Sequence, residues 1–266
     1  MKRLDIIMKR KGILLAGGKA TRLYPITTCV SKHLLPIYNK PVIYYALSLL
    51  MLSGIKDVLL ISSKEYIDQF QDLLKDGSQF NIHIDYVVQD KPNGLPEAFL
   101  LGEDWLNNQP SCLVLGDNIL YGNDLSILLS KCYHNINTTI FACYNKTPEK
   151  YGVIEFDNQN NILSIEEKPQ NPKSNYIIPG IYFFDSNVVK YTKELRPSKR
   201  NELEITDLIN LYRKNNNINI EIFGRGIAWF DIGNFDSLLD ANNFIAAIER
   251  NQGLSIGNPQ DIFIKN

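Results

Sequence analysis

Two adjacent glycines, Gly17-Gly18, end an apolar run and are followed by several cations. The run at residues 13–15 has the composition of a buried strand, and the cations are Lys19, Arg22 and Lys32. A strand that ends in glycines exposes backbone N–H groups, and nearby cations add positive charge, so the arrangement suits phosphates. The spacing therefore predicts a phosphate site at the end of the first strand.

The glycine pair fits neither of two common phosphate-binding motifs. Gly12 and Gly17 have Walker A spacing, but Gly18 stands where that loop needs lysine. Adjacent glycines also do not supply the G-x-G-x-x-G of a dinucleotide site. A tight turn without a ligand is the alternative, and the glycines alone favour it. Arg22 and Lys32, around a proline-rich loop, shift the balance towards a site.

Two aspartates are candidates for a metal site. Asp117 follows the apolar run 113–116 and Asp231 follows 228–230, so both are expected at carboxyl ends of strands, where open α/β sheets bind ligands. Each could instead cap an ordinary turn. Since Mg²⁺ takes one or two carboxylates together with substrate phosphates, the two side chains could share one hard cation.

A charged run, Glu166-Glu167-Lys168-Pro169, ends another predicted strand. Side chains alternate along a strand, so Glu167 points away from Glu166 and Lys168. Such a run is usually a solvated face. The functional interpretation is that Glu167 accepts hydrogen bonds from sugar hydroxyls while Lys168 offers a point charge to a phosphate.

The segments that position these residues alternate between β-rich and amphipathic patterns. Strands are predicted at 12–15, 58–62, 82–88, 112–115, 139–144, 153–156, 162–166, 176–184, 219–223 and 227–230. Helices are predicted at 42–53, 64–74, 96–106, 187–195, 202–214 and from about 235 to 251, the last with Asn234 as its cap. This alternation indicates an α/β protein with one mixed, mostly parallel sheet covered by helices on both faces.

Composition excludes several classes of protein. Of the 266 residues, 28 are basic and 29 acidic, so no general nucleic-acid or membrane surface is expected. The four cysteines lack C-x-x-C spacing and the three histidines lack zinc-site spacing, so we expect reduced thiols and no zinc. Without a signal peptide or an apolar run long enough for a membrane helix, a cytoplasmic protein is expected.

Several motifs follow one another along most of the chain. They are L-A-G-G-K-A-T-R-L-Y-P (15–25), S-K-H-L-L-P (31–36), N-K-P-V-I-Y-Y (39–45), V-L-G-D-N (114–118), S-I-E-E-K-P (164–169), E-L-E-I-T-D (202–207) and G-R-G-I-A-W-F-D (224–231). This series resembles the sugar-1-phosphate nucleotidylyltransferases, most closely the glucose-1-phosphate thymidylyltransferases. The resemblance starts near Lys11, so residues 1–10 are expected to be an extension. It implies a Rossmann-like domain over 11–266, with a nucleotide half (about 11–145) and a sugar half (about 146–266).

The resemblance also implies a reaction. The phosphate of glucose 1-phosphate attacks the α-phosphorus of dTTP, or of UTP, in line, and pyrophosphate leaves. The nucleophile is already anionic, so no general base is needed. The implied cofactor is Mg²⁺ and the implied assembly a homodimer or homotetramer.

The resemblance assigns roles to individual residues. The catalytic residues are Arg22, Lys32, Asp117 and Lys168, and the metal ligands are Asp117 and Asp231. The nucleotide-binding residues are Leu15, Gly17, Gly18, Thr21, Gln89, Asn93 and Gly94. The sugar-phosphate-binding residues are Leu95, Leu115, Asn118, Tyr151, Gly152, Glu167, Lys168, Ile178 and Tyr182. The amide of Gln89 suits the mixed edge of thymine or uracil but does not distinguish them.

Departures from the family pattern leave this charged set intact. Ala20 replaces a common glycine, His33 a glutamine, and Pro179 and Ile232 common threonines. Two alternatives remain open: the same chemistry with UTP or another sugar phosphate, and a nucleotide-sugar sensor without activity.

Overall fold

Residues Lys11–Ala16 form the first strand, and its side chains point alternately into two apolar layers. Leu14 and Ala16 pack with the helix at Val42–Leu52, whereas Ile13 and Leu15 pack into a separate cluster on the opposite face. The computed structural model describes residues 9–18, 20–215 and 217–265. Lys19 and residues 1–8 of the predicted extension lie outside these ranges.

The secondary-structure elements are numbered in chain order. The strands are β1 (Lys11–Ala16), β2 (Pro36–Ile37), β3 (Lys40–Pro41), β4 (Asp57–Ser62), β5 (His83–Val88), β6 (Ser111–Leu115), β7 (Asn118–Gly122), β8 (Thr138–Tyr144), β9 (Gly152–Phe156), β10 (Ile162–Glu167), β11 (Tyr176–Ile177), β12 (Ile181–Phe184), β13 (Ile218–Ile222) and β14 (Ile227–Asp231). The helices are α1 (Val42–Leu52), α2 (Ile67–Leu74), α3 (Glu97–Leu101), α4 (Glu103–Leu106), α5 (Leu125–His134), α6 (Val188–Glu194), α7 (Ile205–Lys214), α8 (Phe235–Gln252) and α9 (Pro259–Lys265).

The described residues form a ten-stranded mixed sheet with the order β10-β9-β11-β8-β12-β6-β1-β4-β5, and β13 pairs with β8. Strands β5, β4, β1 and β6 are parallel, and β12 joins β6 antiparallel. The predicted α/β fold with one mixed sheet is confirmed. Because β1 and β6 are parallel neighbours, their carboxyl ends meet at one edge of the sheet.

One small strand pairing and one helix bring further segments to this edge. Strands β7 and β14 pair antiparallel, which sets Asn118 opposite Asp231. Helix α8 packs beside them in a third apolar cluster that includes Ile119, Ile232 and Ile245. The predicted cap of α8 is present: the Asn234 side chain accepts from the Ser237 N–H at 2.9 Å, as part of a capping box.

Several predicted elements differ in their bounds, and the helix predicted from 64 starts at Ile67. The helix predicted at 96–106 divides into α3 and α4 at Gly102, which lacks helical angles and packs against Leu59. The strand predicted at 176–184 is interrupted between β11 and β12. The helix predicted from 202 starts at Ile205. Strands β2, β3 and β7 and helices α5 and α9 were not predicted.

Arg10 is buried, although it belongs to the predicted extension. Its guanidinium donates to the carbonyls of Ser111 at 2.7 Å, Phe184 at 2.6 Å and Asn135 at 2.6 Å. One side chain therefore joins the starts of β1 and β6, the end of β12 and the segment before β8.

Candidate active site

A cleft with two adjoining cavities opens beside the carboxyl ends of β1 and β6. The first cavity has a volume of about 250 Å³ and the second about 520 Å³. The residues that line both are Leu95, Leu115, Asp117, Glu167, Lys168 and Ile205. The cleft therefore offers two compartments with a charged boundary between them.

The predicted site residues divide between these compartments. Those that line the first cavity alone are Leu15, Gly17, Gly18, Lys32, Gln89 and Gly94. Those that line the second alone are Arg22, Asn118, Tyr151, Gly152, Ile178, Tyr182 and Asp231. Thr21 and Asn93 line neither. Thr21 is exposed, and the Asn93 amide donates to Glu97 at 2.6 Å.

The turn after β1 needs its glycines. A Cβ on Gly17 would lie 2.9 Å from Gln89 Oε1, and Gly18 has a φ of +97°. Ala20 is also left-handed, with φ 46°, and its carbonyl accepts from the Leu23 N–H at 3.0 Å and from Thr27 Oγ1 at 3.1 Å. The alanine that replaces the usual glycine thus keeps a glycine-like backbone conformation and anchors the turn that carries Arg22.

Lys32 and Asp117 form a buried ion pair at the boundary. Lys32 Nζ donates to Asp117 Oδ2, and Asn118 Nδ2 donates to Asp117 Oδ1 at 2.9 Å. Burial alone would raise the pKa of Asp117, but the Lys32 ammonium and the two hydrogen bonds outweigh it and hold the pKa at about 2. For Lys32, burial lowers the pKa, but Asp117 outweighs it and raises the pKa above the ordinary value. Both groups are charged at neutral pH.

Asp231 lies in the same site, but its pKa is shifted in the opposite direction from that of Asp117. Burial, and then repulsion from Asp117, raise its pKa to about 6. The Arg22 guanidinium lies beside it, since a Cβ on Gly233 would be 2.7 Å from Arg22 Nη2 and 3.4 Å from Asp231 Oδ2. A bound cation would stabilise two carboxylates that repel each other, one buried and one partly buried.

The Asn118 amide is held in one orientation. Its Oδ1 accepts from the Gly180 N–H at 2.9 Å and from Trp229 Nε1 at 2.6 Å, so its Nδ2 must face Asp117. The Trp229 ring also meets the Tyr151 ring edge-on, with centroids 5.1 Å apart. Asn118 thus contributes to the site by orienting a carboxylate as well as by lining the second cavity.

Charges at the boundary between the cavities are linked by Arg200, which was not predicted. Its Nη2 contacts Glu167 Oε1 at 3.3 Å and Glu204 Oε2 at 2.6 Å, and it lines the first cavity. Lys168 Nζ lies 3.7 Å from Glu167 Oε1. Burial raises the pKa of Glu167, and repulsion from Glu204 adds to the effect, against the pull of Lys168 and Arg200.

The floor of the second cavity has little spare room. A Cβ on Gly152 would lie 2.9 Å from Thr206 Cγ2 and 3.5 Å from Glu167 Oε2. The Ile178 N–H already donates to the Gly152 carbonyl at 2.9 Å, so only the Ile178 carbonyl is left for a ligand. Tyr182 is buried and stacks on Phe184.

His33, which stands at a usual glutamine position, is buried beside Lys32. Burial, and then the Lys32 charge, lower its pKa to about 3, and its Nδ1 lies 2.9 Å from Ser31 Oγ. His33 is therefore neutral at physiological pH, and the departure adds no charge to the cleft.

Trp229, Arg200 and Glu97 are the main site residues that the sequence did not single out. Trp229 stands within the motif at 224–231, and Arg200 stands two residues before the motif at 202–207. These positions are the only sequence features that could have pointed to them. No three His, Cys, Asp or Glu side chains of the described residues come together as a metal cage. None of the helices in the described ranges is long and apolar enough to cross a membrane.

Comparison with known proteins gives one consistent family. The model of the nucleotidyl transferase family matches residues 11–248. Among curated proteins, the chain is 48% identical over 255 residues to the glucose-1-phosphate thymidylyltransferase of Xanthomonas campestris pv. campestris, covering 96% of this chain and 86% of that protein. It is 48% identical over 257 residues to the enzyme of the same name from Neisseria gonorrhoeae, covering 96% and 89%.

Solved structures agree in fold. A Bacillus anthracis protein described as a glucose-1-phosphate thymidylyltransferase, in complex with sucrose, is similar with a TM-score of 0.81 and 39% identity, over 88% of this chain and 94% of that one. A UDP-glucose pyrophosphorylase complexed with UDP-glucose is similar with a TM-score of 0.77 and 26% identity, over 91% and 100%.

Proposed function

The chain belongs to the nucleotidyl transferase family, and we propose that it transfers a thymidylyl group from dTTP to glucose 1-phosphate. The products are dTDP-glucose and pyrophosphate. The observation that carries the proposal is the division of the cleft: the residues predicted for the nucleotide and those predicted for the sugar line adjoining cavities. Asp117 and Lys168 lie on their shared boundary, where the two substrates would meet.

The reaction needs charge and alignment more than proton transfer. A phosphate oxygen of glucose 1-phosphate forms a new bond to the α-phosphorus of dTTP, and the bond from that phosphorus to the β-phosphate oxygen breaks. The attacking oxygen is already anionic, so catalysis consists of holding both phosphates in line and neutralising their charge. In this proposal Lys32 from the first cavity and Arg22 from the second contact the triphosphate where the cavities adjoin, while Lys168 on the shared boundary contacts the sugar phosphate.

Electrostatics of the described residues support these assignments. Lys32 is partly buried and stays protonated because Asp117 accepts from it, so it brings a positive charge to the boundary of the cavities. Gly17 and Gly18 have no side chains, so the backbone of the turn is open to a phosphate. No atom lies within 4 Å of the position that a Cβ on Gly18 would take, but its φ of +97° would strain any other residue.

Asp117 and Asp231 fit a divalent cation. They are two hard oxygen ligands in one site, and the pKa of Asp231 is raised by burial and then by repulsion from Asp117, which a cation would offset. We propose that they hold Mg²⁺, which when bound would neutralise phosphate charge. Because only two carboxylates are available, water and substrate phosphates would complete its coordination.

Pyrophosphate release from the purified chain tests the function. The assay crosses dTTP, UTP and CTP with glucose 1-phosphate and with amino-sugar phosphates, with Mg²⁺ and with a chelator. We expect turnover with dTTP and glucose 1-phosphate, and none after metal removal.

The other outcomes separate the alternatives. Turnover with UTP alone would assign the same chemistry to another base. Nucleotide-sugar binding without release from any pair would favour a sensor. Asp117→Asn with unimpaired turnover in Mg²⁺ would refute the metal assignment.

A further inference from the structure

The Gln89 side chain has a defined orientation in the first cavity. It is buried, and its Nε2 donates to Glu97 Oε2 at 2.6 Å. A carboxylate accepts hydrogen bonds and donates none, so the amide nitrogen must face Glu97. The amide oxygen of Gln89 must therefore point the other way.

That oxygen faces the glycine turn. A Cβ placed on Gly17 would lie 2.9 Å from Gln89 Oε1, and both residues line the first cavity. Within the described part of the chain, Oε1 has no hydrogen-bond donor, whereas Nε2 has its acceptor in Glu97. The buried amide thus presents its oxygen to the cavity, while its nitrogen is turned towards Glu97.

Glu97 is itself held in place from two sides. It is the first residue of α3, and its Oε1 accepts from Asn93 Nδ2 at 2.6 Å. The Asn93 N–H lies 3.4 Å from Glu97 Oε2. Asn93 in turn is fixed because its carbonyl accepts from the Leu203 N–H at 2.7 Å. Both carboxylate oxygens of Glu97 are therefore hydrogen-bonded, which holds the carboxylate in place beside Gln89.

We propose that Glu97 is a positioning residue that sets the base preference of this enzyme. The proposal rests on the proposed function, in that the base of the nucleotide occupies the first cavity. Opposite a fixed oxygen, the N3–H of thymine or uracil donates a hydrogen bond. Cytosine has a lone pair at N3, which repels that oxygen and leaves it unpaired. Glu97 thus selects pyrimidines that carry N3–H, without touching the base.

Glu97→Gln tests the proposal because an amide at 97 can either accept from or donate to Gln89. The Gln89 amide is then free to turn and offer its NH₂ to cytosine. We expect the ratio of kcat/KM for dTTP to that for CTP to fall about tenfold or more, the equivalent of one hydrogen bond. The ratio of dTTP to UTP and the KM for glucose 1-phosphate should stay unchanged. Calorimetric titration with dTDP and CDP should show the same loss of discrimination in binding.

Two further variants complete the design. Glu103→Gln is the matched control, since Glu103 pairs with Lys193 at 2.5 Å outside both cavities and its loss should leave every ratio unchanged. The exchanged variant Gln89→Glu/Glu97→Gln keeps an amide facing a carboxylate and again presents only an oxygen to the base. The exchanged variant should recover the preference for dTTP. It also provides a test of the proposal if Glu97→Gln alone does not fold.

The outcomes separate this proposal from the proposed function. An unchanged dTTP-to-CTP ratio in Glu97→Gln, or no preference for dTTP in the exchanged variant, would overturn the role of Glu97 while the activity stands. Absence of turnover by the wild-type chain with either dTTP or UTP would instead refute the proposed function.

Discussion

At the scale of single residues, the cleft combines buried charges with a buried neutral histidine. His33 lies between the Lys32 ammonium and the Ser31 hydroxyl, and burial lowers its pKa from an ordinary 6.5 to about 3. In the unfolded chain His33 binds a proton below about pH 6.5, whereas in the folded chain it does not until about pH 3. Acid therefore favours the unfolded state through this residue.

The pH dependence of stability that His33 causes gives the first prediction. Between pH 6.5 and 4 the unfolded state holds one more proton at His33, so this residue should lower the free energy of unfolding by about 1.4 kcal/mol per pH unit of acidification. Above pH 6.5 its contribution is constant. Urea unfolding of the wild type and of His33→Gln, over pH 4 to 8, should give curves that diverge below pH 6.5. Parallel curves would contradict the prediction.

Lys168 gives a second prediction at this scale. Its ammonium stands on the boundary of both cavities, 3.7 Å from Glu167 Oε1. Lys168→Ala should lower kcat/KM for glucose 1-phosphate about 10- to 100-fold, the range of a charged hydrogen bond, with a smaller effect on dTTP. Steady-state kinetics with each substrate varied in turn would measure this. Lys173→Ala, which breaks only a surface pair with Glu166 at 2.7 Å, is the control.

Sequence reasoning reached most of these residues because they stand at strand ends inside motifs. It found Asp117 and Asp231 from two separate apolar runs, and the structure brings them into one site. It did not find Arg200, Trp229 or Glu97. Their importance comes from partners chosen by tertiary packing, such as the contact of Trp229 with Asn118, and local spacing carries no information on such contacts.

At the scale of elements, the loop that follows β5 is joined to the loop that precedes α7. Gly94 forms an isolated parallel bridge with Leu203, and a Cβ on Gly94 would lie 2.0 Å from the Leu203 carbonyl oxygen. Its φ of +109° also excludes most side chains. This junction joins segments predicted for the base and the sugar, so the two cavities share part of one wall.

Gly94→Ala should therefore open this junction. We expect a loss of about 2 kcal/mol or more in the free energy of unfolding, from backbone strain and the clash with Leu203. Both substrates should show raised KM values. Thermal unfolding and kinetics would check this against Gly226→Ala, where a Cβ meets nothing within 4 Å. Equal stability of the two variants would refute the role of the junction.

Long periodic elements were predictable and short paired ones were not. Helix α1 is apolar on nearly every side and ends before Gly54, so composition and a stop signal found it. Strand β7 has five residues and is stabilised by β14, which lies more than a hundred residues later. Only the tertiary fold supplies that partner, so a sequence pattern for β7 alone was too weak.

At the scale of the whole molecule, one arginine ties several distant segments together. Arg10 donates to carbonyls of Ser111, Asn135 and Phe184, and its guanidinium lies over the Phe183 ring with 5.3 Å to the centroid. A buried guanidinium without acceptors would destabilise the folded state. The buried carbonyls would destabilise it in the same way if the guanidinium were removed, because they would lose their donor.

Arg10→Met should destabilise the whole fold. It keeps the aliphatic stem but leaves several buried carbonyls without a donor, so we expect a loss of about 3 kcal/mol. Lys9→Met, at an exposed neighbouring position, should change stability by less than about 0.5 kcal/mol. Urea unfolding of both variants measures the difference. If Arg10→Met left the free energy of unfolding unchanged, the segment before β1 would add nothing to the stability of the fold.

The contact between Trp229 and Asn118 has an optical consequence. Trp229 is one of two tryptophans in the chain and lines the second cavity, with Tyr151 against its ring. The other, Trp105, donates to Asp85 at 2.6 Å, lies under the Lys11 ammonium and lines neither cavity of the cleft. Under the proposed function, we therefore expect intrinsic fluorescence to report occupancy of the second cavity, with Trp105 as the background signal. Trp105→Phe would isolate that signal and allow ligand arrival to be timed in a stopped-flow instrument without any added label.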